Sequence, residues 1–200
     1  MSRYVDTRFW RWWRKVPIVV MAILLAVALA YQMAPGALLR QFLFPVQYAD
    51  YIEESSERYG LDPYLVCAVI KCESNWDAEA ESSAGAQGLM QLMPETAEYV
   101  ATWSHVDSAT YRADNLTDPA TNIEYGCAYL AYLLEELGSQ DAAIAAYNAG
   151  LGSVQSWISE GESVEDLDIQ YPETASYVES VNFAYQRYQE LYPDGIQAEE

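Results

Sequence analysis

The chain of 200 residues is long enough for one domain and an additional segment. It holds 30 acidic and 10 basic residues, which give a net charge of −20 at pH 7. Six of the bases and the single acid Asp6 lie within the first forty residues, so the remainder carries four bases against 29 acids. Because a phosphate backbone must be neutralised by lysine and arginine, this remainder is not expected to bind nucleic acid.

The first predicted element is a membrane helix. Residues 16–39 contain no charge, and the run from Pro17 to Met33 is almost entirely apolar. At ~1.5 Å per helical residue the run spans roughly 25 Å, enough to cross a bilayer with little tilt. Four bases and three tryptophans precede it: Arg8, Arg11, Arg14, Lys15, Trp10, Trp12 and Trp13. The sequence predicts a transmembrane signal anchor over residues 16–39, with the basic residues 1–15 in the cytoplasm and the remainder outside.

Two alternatives compete with the anchor. A cleavable signal peptide is the first, because Ala28-Leu29-Ala30 resembles a cleavage site. The apolar run continues past that site, which favours an uncleaved anchor. A buried core helix is the second, and the basic and aromatic flank argues against it. Pro35-Gly36 is expected to end the helix, and residues 40–46 are expected to form a linker.

The residues after the linker are predicted to form an all-α domain over residues 47–192. Helical periodicity recurs there, whereas alternation with period two does not. Asp-Pro pairs at 62–63 and 118–119 are typical helix starts, because aspartate caps the first turn and proline fits its first position. Helices are expected from about Gln47 to Tyr59, from Asp62, from Pro94, from Asp118, from Gln140 to Ala149, from Leu151 to Ile158, and from Tyr171 to before Pro193. About 155 residues bury roughly two-thirds of their surface, so one core suffices, and residues 193–200 form an acidic tail.

A single carboxylate, Glu73, lies on the apolar side of its predicted helix. Val66, Val69 and Ile70 precede it by seven, four and three residues, which places all four on one helical face. Burial raises the pKa of a carboxyl, and the negative end of the helix dipole acts in the same direction. A buried ion pair and a helix cap are the alternatives, but bases are scarce in this part of the chain. The pattern favours a carboxyl that is protonated at neutral pH, as a general acid requires.

Other polar residues leave structural and functional interpretations open. Ser82 fits a turn, Gln91 fits either a buried hydrogen bond or a cleft contact, and Asn148 fits the turn that ends a helix. Gly88 would permit the backbone to approach a ligand closely. Glu173 fits the first turn of the last helix, where a carboxylate stabilises the helix dipole.

The cysteines and the one histidine form no pattern for a metal site or a catalytic triad. Cys67, Cys72 and Cys127 lack metal-ligand spacing, and an odd number leaves at least one thiol unpaired. They are expected to be small buried residues, with a bridge between Cys72 and Cys127 left open. His105 has no motif around it and is expected in a loop.

Four sequence blocks together resemble the soluble lytic transglycosylase family, whose fold is similar to that of goose-type lysozyme. The resemblance covers about Gln47 to Tyr192, and the blocks follow the family's order and spacing. They are Glu73-Ser74, then Ser82 to Gln91 followed by Met93-Pro94, then Asn122-Ile123 with Gly126 and Tyr129-Leu130, and finally Ala146-Tyr147-Asn148-Ala149-Gly150. The resemblance implies an all-α, lysozyme-like catalytic domain.

What the resemblance implies is cleavage of peptidoglycan at the β-1,4 bond between N-acetylmuramic acid and N-acetylglucosamine. The C6 hydroxyl of the muramic acid attacks C1, which gives a 1,6-anhydro product without consuming water. Glu73 matches the family's one catalytic glutamate, which acts first as acid and then as base. Most glycosidases use two carboxylates, but no second acid lies in a matching motif near Glu73. Asp77, Glu79 and Glu81 are expected to face solvent.

The resemblance also assigns residues to the substrate cleft. Ser82 is expected to orient the N-acetyl group of the substrate, and Tyr147 to hydrogen-bond Glu73. The full set of expected substrate-binding residues is Ser82, Gln91, Met93, Tyr147, Asn148, Glu173 and Tyr177. No metal or cofactor is expected. The expected partners are peptidoglycan strands and, through residues 16–39, the cytoplasmic membrane; the protein is expected to be a monomer with its catalytic domain on the cell-wall side.

Two alternatives to this function share the fold. A hydrolytic muramidase would differ only in its product, which would carry the elements of one water molecule. A non-catalytic cell-wall-binding protein would keep the groove without the activity. The presence of Glu73 together with Ser82, Gln91 and Tyr147-Asn148 argues against the second alternative.

Overall fold

The computed structural model of the chain describes residues 15–33, 36–158, 164 and 167–197. Most of the predicted cytoplasmic segment (residues 1–14) and the last three residues of the predicted tail lie outside the described residues. Within the described part the secondary structure is helical and contains no strand, apart from two isolated β-bridges that join Gln87 to Glu81 and to Leu92. The chain divides into two compact units between Leu43 and Phe44.

The N-terminal unit contains two helices, α1 over Val16–Met33 and α2 over Gly36–Phe42. The large apolar side chains from Ile18 to Leu29 are 48–69% exposed. The segment that the sequence predicts as one anchor, residues 16–39, thus contains two helices, and residues 34–35 between them lie outside the described residues. Among the residues that the structure describes, no helix is both long enough and apolar enough to cross a membrane.

The described helices of the C-terminal unit follow the predicted order. Both predicted Asp-Pro starts are confirmed: Asp62 accepts a hydrogen bond from the N–H of Tyr64, and Asp118 accepts one from the N–H of Thr121, each at 2.9 Å. The helices are α3 (Ala49–Tyr59), α4 (Pro63–Glu73), α5 (Pro94–Val100), α6 (Pro119–Leu137), α7 (Gln140–Ala149), α8 (Leu151–Trp157) and α9 (Pro172–Leu191). The prediction of an all-α domain is confirmed for these residues.

The helix that ends at Glu73 runs through the middle of the core. α9 packs along α4 and also contacts α7, while α3 contacts both α4 and α6. As a result, every residue of α4 from Leu65 to Ile70 is buried, whichever side of the helix it lies on. The sequence predicts a single buried face of this helix, whereas the structure buries more than one face, because neighbouring helices cover α4 on more than one side. A helix enclosed in this way fixes the position of its last residue.

The buried ion pair that the sequence left open for Glu73 belongs instead to Glu124. Its side chain is fully buried in α6. Three side chains of α3 donate hydrogen bonds to it: Arg58 at 2.9 Å, Tyr59 at 2.6 Å and Ser55 at 2.9 Å. Because these donors satisfy both carboxylate oxygens, Glu124 ties α3 to α6 and has a structural role.

The loop between α4 and α5 is fixed on α6 by one buried amide, that of Asn122. Its Oδ1 accepts a hydrogen bond from the N–H of Met90 at 2.7 Å, and its Nδ2 donates to the carbonyls of Gln87 and Leu116 at 2.9 and 2.8 Å. Gly88 lies against this amide with φ of +76°, and a Cβ there would come within 2.2 Å of the Leu116 carbonyl. The close approach that Gly88 permits is thus to Asn122 and Leu116 of the protein itself, not to a ligand.

The cysteines form no disulfide, so the bridge between Cys72 and Cys127 is absent. Cys67 and Cys127 are buried, as expected, whereas Cys72 is half-buried. His105 lies in an exposed loop after α5, which confirms its predicted position.

We expect Gly88→Ala to lower the free energy of unfolding much more than Gly85→Ala. Gly85 also has a positive φ, of +91°, but a Cβ there would have nothing within 4 Å, so alanine meets only backbone strain of about 1 kcal/mol. At Gly88 the same strain adds to a clash with Leu116 and Asn122, for a loss of about 3 kcal/mol. Urea unfolding followed by circular dichroism measures both, and equal losses would contradict the role of the close contact.

Candidate active site

Glu73 is the last residue of α4 and is half-buried. Burial of the carboxyl raises its pKa from 4.5 to about 7, and a hydrogen bond from Tyr177 acts in the opposite direction. The Tyr177 hydroxyl, on α9, donates to Glu73 Oε1 at 2.5 Å. Because a carboxyl with this pKa is present in both forms at neutral pH, it can donate a proton and then accept one.

The turn that follows Glu73 has a strained backbone held by a buried side chain. Asn75 and Trp76 have φ of +52° and +71°, a region that costs non-glycine residues about 1–3 kcal/mol. Trp76 is buried, and its Nε1 donates to the Tyr188 hydroxyl at 2.9 Å. That hydroxyl in turn donates to the carbonyl of Pro45 at 3.0 Å. These bonds keep the strained turn in place, and no motif in the sequence indicated them.

Ser82 and Gln91 hold the loop before α5 together. The Ser82 Oγ accepts a hydrogen bond from the N–H of Ala86 at 3.0 Å. Gln91 has φ of +47°, and its Nε2 donates to the carbonyls of Ala80 and Gly88 at 3.1 and 3.0 Å. Of the two interpretations of Gln91, the internal hydrogen bond is therefore present. Both side chains remain half-buried, so each still has surface in contact with solvent.

Tyr147, in the last turn of α7, does not form the hydrogen bond to Glu73 that the sequence predicts. Its hydroxyl donates to the carbonyl of Met90 at 2.9 Å, and Tyr177 is the donor to Glu73. Burial raises the pKa of Tyr147 well above its ordinary value, and the negative charge of Glu73 adds to this effect. Two tyrosines from different helices therefore interact with the carboxyl: Tyr177 donates a hydrogen bond to it, and Tyr147, which is bonded to the loop, is close enough to be affected by its charge.

The remaining predicted site residues lie at the ends of three helices. Asn148 is exposed at the end of α7, and its Oδ1 accepts a hydrogen bond from the Thr174 hydroxyl of α9 at 2.8 Å. Met93 is half-buried immediately before α5, and Glu173 is exposed in the first turn of α9. The hydrogen bond between Asn148 and Thr174 joins the ends of α7 and α9, the helices that carry Tyr147 and Tyr177.

The acids that follow Glu73 in the sequence do not share its environment. Asp77, Glu79 and Glu81 are all exposed, as expected. Within the described part of the chain, no group of three histidine, cysteine, aspartate or glutamate side chains is arranged to hold a metal ion. The carboxyl of Glu73, which accepts a hydrogen bond from Tyr177, is a group at this site that can transfer a proton.

The profile of the transglycosylase SLT domain family matches residues 50–169. The chain belongs to this family. The match confirms the family that the four sequence blocks resemble, and with it the predicted all-α, lysozyme-like fold. The matched residues make up most of the C-terminal unit and include Glu73 and Tyr147. Tyr177 belongs to the same unit but lies beyond the matched residues.

Known proteins similar to the chain are lytic transglycosylases. The soluble lytic murein transglycosylase of Salmonella typhimurium is 34% identical in an alignment of 154 residues, and the match covers 72% of this chain and 23% of that protein. The membrane-bound lytic murein transglycosylase C of Edwardsiella ictaluri is 33% identical and covers 72% of this chain and 47% of its own length. The crystal structure of the 70 kDa soluble lytic transglycosylase from Escherichia coli superposes with a TM-score of 0.65 at 30% identity, over 76% of this chain and 26% of that one. The chain thus spans about a quarter of the length of the soluble relatives.

We expect Tyr177→Phe to raise the pKa of Glu73 further, by about one unit. The tyrosine hydroxyl stabilises the carboxylate form, so its removal leaves burial less opposed. The measurement is a ¹³C NMR titration of glutamate carboxyl carbons, with the Glu73 signal assigned from its loss in Glu73→Gln.

Tyr185→Phe is the matched control for this titration. Tyr185 also lies on α9, and its hydroxyl donates to a carboxylate at the other end of α4, Asp62, at 2.6 Å. The control should leave the pKa of Glu73 unchanged. A pKa that stays at about 7 in Tyr177→Phe would contradict the effect assigned to the hydrogen bond.

Proposed function

We propose that the SLT domain cleaves the glycan strands of peptidoglycan by lytic transglycosylation, with Glu73 as the single acid and base. The observation that carries this proposal is the half-buried Glu73 carboxyl, which accepts a hydrogen bond from Tyr177 and whose pKa burial raises to about 7. The exposure of Asp77, Glu79 and Glu81 supports the use of one carboxyl rather than two. Relatives named lytic murein transglycosylases support this reaction over other glycan cleavages.

The proposed reaction returns Glu73 to its starting state. First, the protonated carboxyl donates its proton to the glycosidic oxygen while the bond from that oxygen to C1 of N-acetylmuramic acid breaks. Then the carboxylate takes the proton of the C6 hydroxyl, whose oxygen forms a bond to C1. The N-acetyl group of the substrate stabilises the positive centre between the two steps, and Tyr177 stabilises the carboxylate. No water is consumed, and the product ends in 1,6-anhydro-N-acetylmuramic acid.

The proposal assigns the substrate contacts to residues around this carboxyl. Tyr177 bonds Glu73, Tyr147 is close enough to be affected by its charge, and the hydrogen bond between Asn148 and Thr174 holds the adjacent helix ends together. These contacts support a common groove between the loop before α5 and the ends of α7 and α9. The assigned residues are Ser82, Gln91, Met93, Tyr147, Asn148, Glu173 and Tyr177.

We expect Glu73→Gln to abolish cleavage while the protein still folds. Glutamine keeps the shape of the side chain but cannot exchange a proton, so the rate should fall by about 10²–10⁴-fold. Mass spectrometry of digested peptidoglycan measures it, and the wild-type product should be lighter than a hydrolysed strand by one water. Glu81→Gln, which changes an exposed acid, is the control and should cleave normally.

Three results of this digestion would contradict the proposal. Hydrolysed reducing ends as the main product would identify a muramidase of the same fold. Cleavage by Glu73→Gln at the wild-type rate would contradict the assignment of Glu73 as the acid and base. Binding of peptidoglycan without any cleavage by the wild type would identify a non-catalytic cell-wall-binding protein.

We further propose that residues 16–39 anchor the chain in the cytoplasmic membrane, with the N-terminus in the cytoplasm and the SLT domain on the cell-wall side. The support is the charge-free sequence of this segment, its basic flank, and the exposed apolar side chains of α1. Transfer of such side chains into lipid is favourable because it removes apolar surface from water. A relative named as membrane-bound also supports attachment to a membrane.

Leu24→Arg should release part of the protein from membranes, whereas Leu24→Ala should not. Leu24 lies near the middle of α1 and is 64% exposed, so arginine there would cost about 3 kcal/mol in a membrane. The measurement is the fraction that sediments with membranes after a carbonate wash. Equal sedimentation of both variants, or a mature N-terminus just after Ala30, would contradict the anchor.

A further inference from the structure

We propose that Tyr99, Trp103 and Tyr132 form a sugar-binding surface that holds the glycan strand several sugar units away from Glu73. These three side chains constitute the aromatic surface. The inference rests on the proposed function and deepens it, because it names a long glycan strand, rather than a short fragment, as the preferred substrate.

The aromatic surface is built from rings in direct contact. The ring centroid of Trp103 lies 5.4 Å from that of Tyr99 and 5.1 Å from that of Tyr132, with interplanar angles of 82° and 55°. These distances and tilts are those of favourable ring pairs. Tyr99 is nevertheless 54% exposed, and the other two rings are half-buried. Rings that fix one another and stay open to solvent offer a rigid surface to a ligand.

The core holds the aromatic surface in place without enclosing it. Trp103 packs against a buried cluster that includes Ala97, Val100 and Val106. Tyr99 extends into solvent from α5, the helix that supplies Ala97 and Val100 to this cluster. Contact with the core therefore fixes the position of Trp103, while Tyr99 keeps more than half of its surface available to a ligand.

A continuous series of rings joins the aromatic surface to the carboxyl. The Tyr132 ring lies 6.4 Å from that of Tyr129, which lies 5.8 Å from that of Tyr147. The Tyr147 hydroxyl bonds the loop at Met90, and the side chain is close enough to Glu73 to be affected by its charge. The aromatic surface is thus continuous with the proposed cleft, and a strand bound at Glu73 can extend along it.

The chemistry of the aromatic surface fits the sugar rings of a glycan strand. A sugar ring presents C–H groups to an aromatic face and can exchange hydrogen bonds with the hydroxyls of Tyr99 and Tyr132. Glu136, on the same helix as Tyr132, is close enough for its charge to act on that tyrosine. The contact is therefore to the uncharged ring faces and not to the lactyl carboxylates of N-acetylmuramic acid, which Glu136 would repel.

The test compares short and long glycans on the full chain carrying Glu73→Gln, which binds without cleaving. Isothermal titration calorimetry gives the Kd of a peptide-free tetrasaccharide and of an octasaccharide from peptidoglycan. Trp103→Ala in this background should raise the Kd of the octasaccharide by about tenfold and leave that of the tetrasaccharide unchanged. Phe183→Ala is the control, because Phe183 is an aromatic residue as exposed as Tyr99, at 54%, and lies on α9 outside the ring series. It should change neither Kd.

Tyr99→Ala provides a second variant at an exposed position, in case Trp103→Ala lowers the melting temperature. An unchanged octasaccharide Kd in both variants would overturn the aromatic surface while the proposed function stands. The aromatic surface would also be overturned as a sugar site if Trp103→Ala weakened binding of a lysine-rich peptide and left the octasaccharide Kd unchanged. Failure of the Glu73→Gln parent to bind either saccharide would instead contradict the proposed function.

Discussion

The packing of α9 along α4 is the constraint on which the site depends. It brings together Tyr177 and Glu73, which are 104 residues apart in the chain, at 2.5 Å. The same packing removes water from the carboxyl, and this burial raises the pKa of Glu73 to about 7 although the hydrogen bond from Tyr177 opposes the shift. One contact between two helices thus supplies both the desolvation that keeps a proton on the carboxyl and the donor that stabilises the carboxylate once the proton has left.

This arrangement reduces stability at the pH where the site would work. Because the pKa of Glu73 is higher in the folded chain than its ordinary value of 4.5, its contribution to stability is complete below pH 4.5 and is lost as the pH rises through about 7. Positive φ angles at Asn75 and Trp76, in the turn directly after Glu73, and at Gln91 in the loop before α5 add backbone strain. Buried anchors offset these costs: Trp76 bonds Tyr188, and Asn122 bonds three groups of the loop and of the segment before α6.

Two glutamates of this domain show how environment decides the role of one residue type. Glu124 is fully buried and receives hydrogen bonds from Arg58, Tyr59 and Ser55, so it joins two helices. Glu73 has burial and a single tyrosine donor, so its proton is held weakly enough to be exchanged near neutral pH. With four bases after residue 40, the chain places one of them, Arg58, on the structural carboxylate.

The sequence by itself determined the features that depend on residues a few positions apart. Helix starts at Asp62 and Asp118 follow from side chains that bond within three residues, and the position of Glu73 at the end of an apolar helix follows from helical phase. The motif blocks determined the family. Only the tertiary structure decided that Tyr177 rather than Tyr147 donates to Glu73, that Gly88 approaches Asn122, and that the buried ion pair belongs to Glu124. The physical reason is that these contacts join segments between 34 and 104 residues apart, whose meeting depends on how whole helices pack and not on any local pattern.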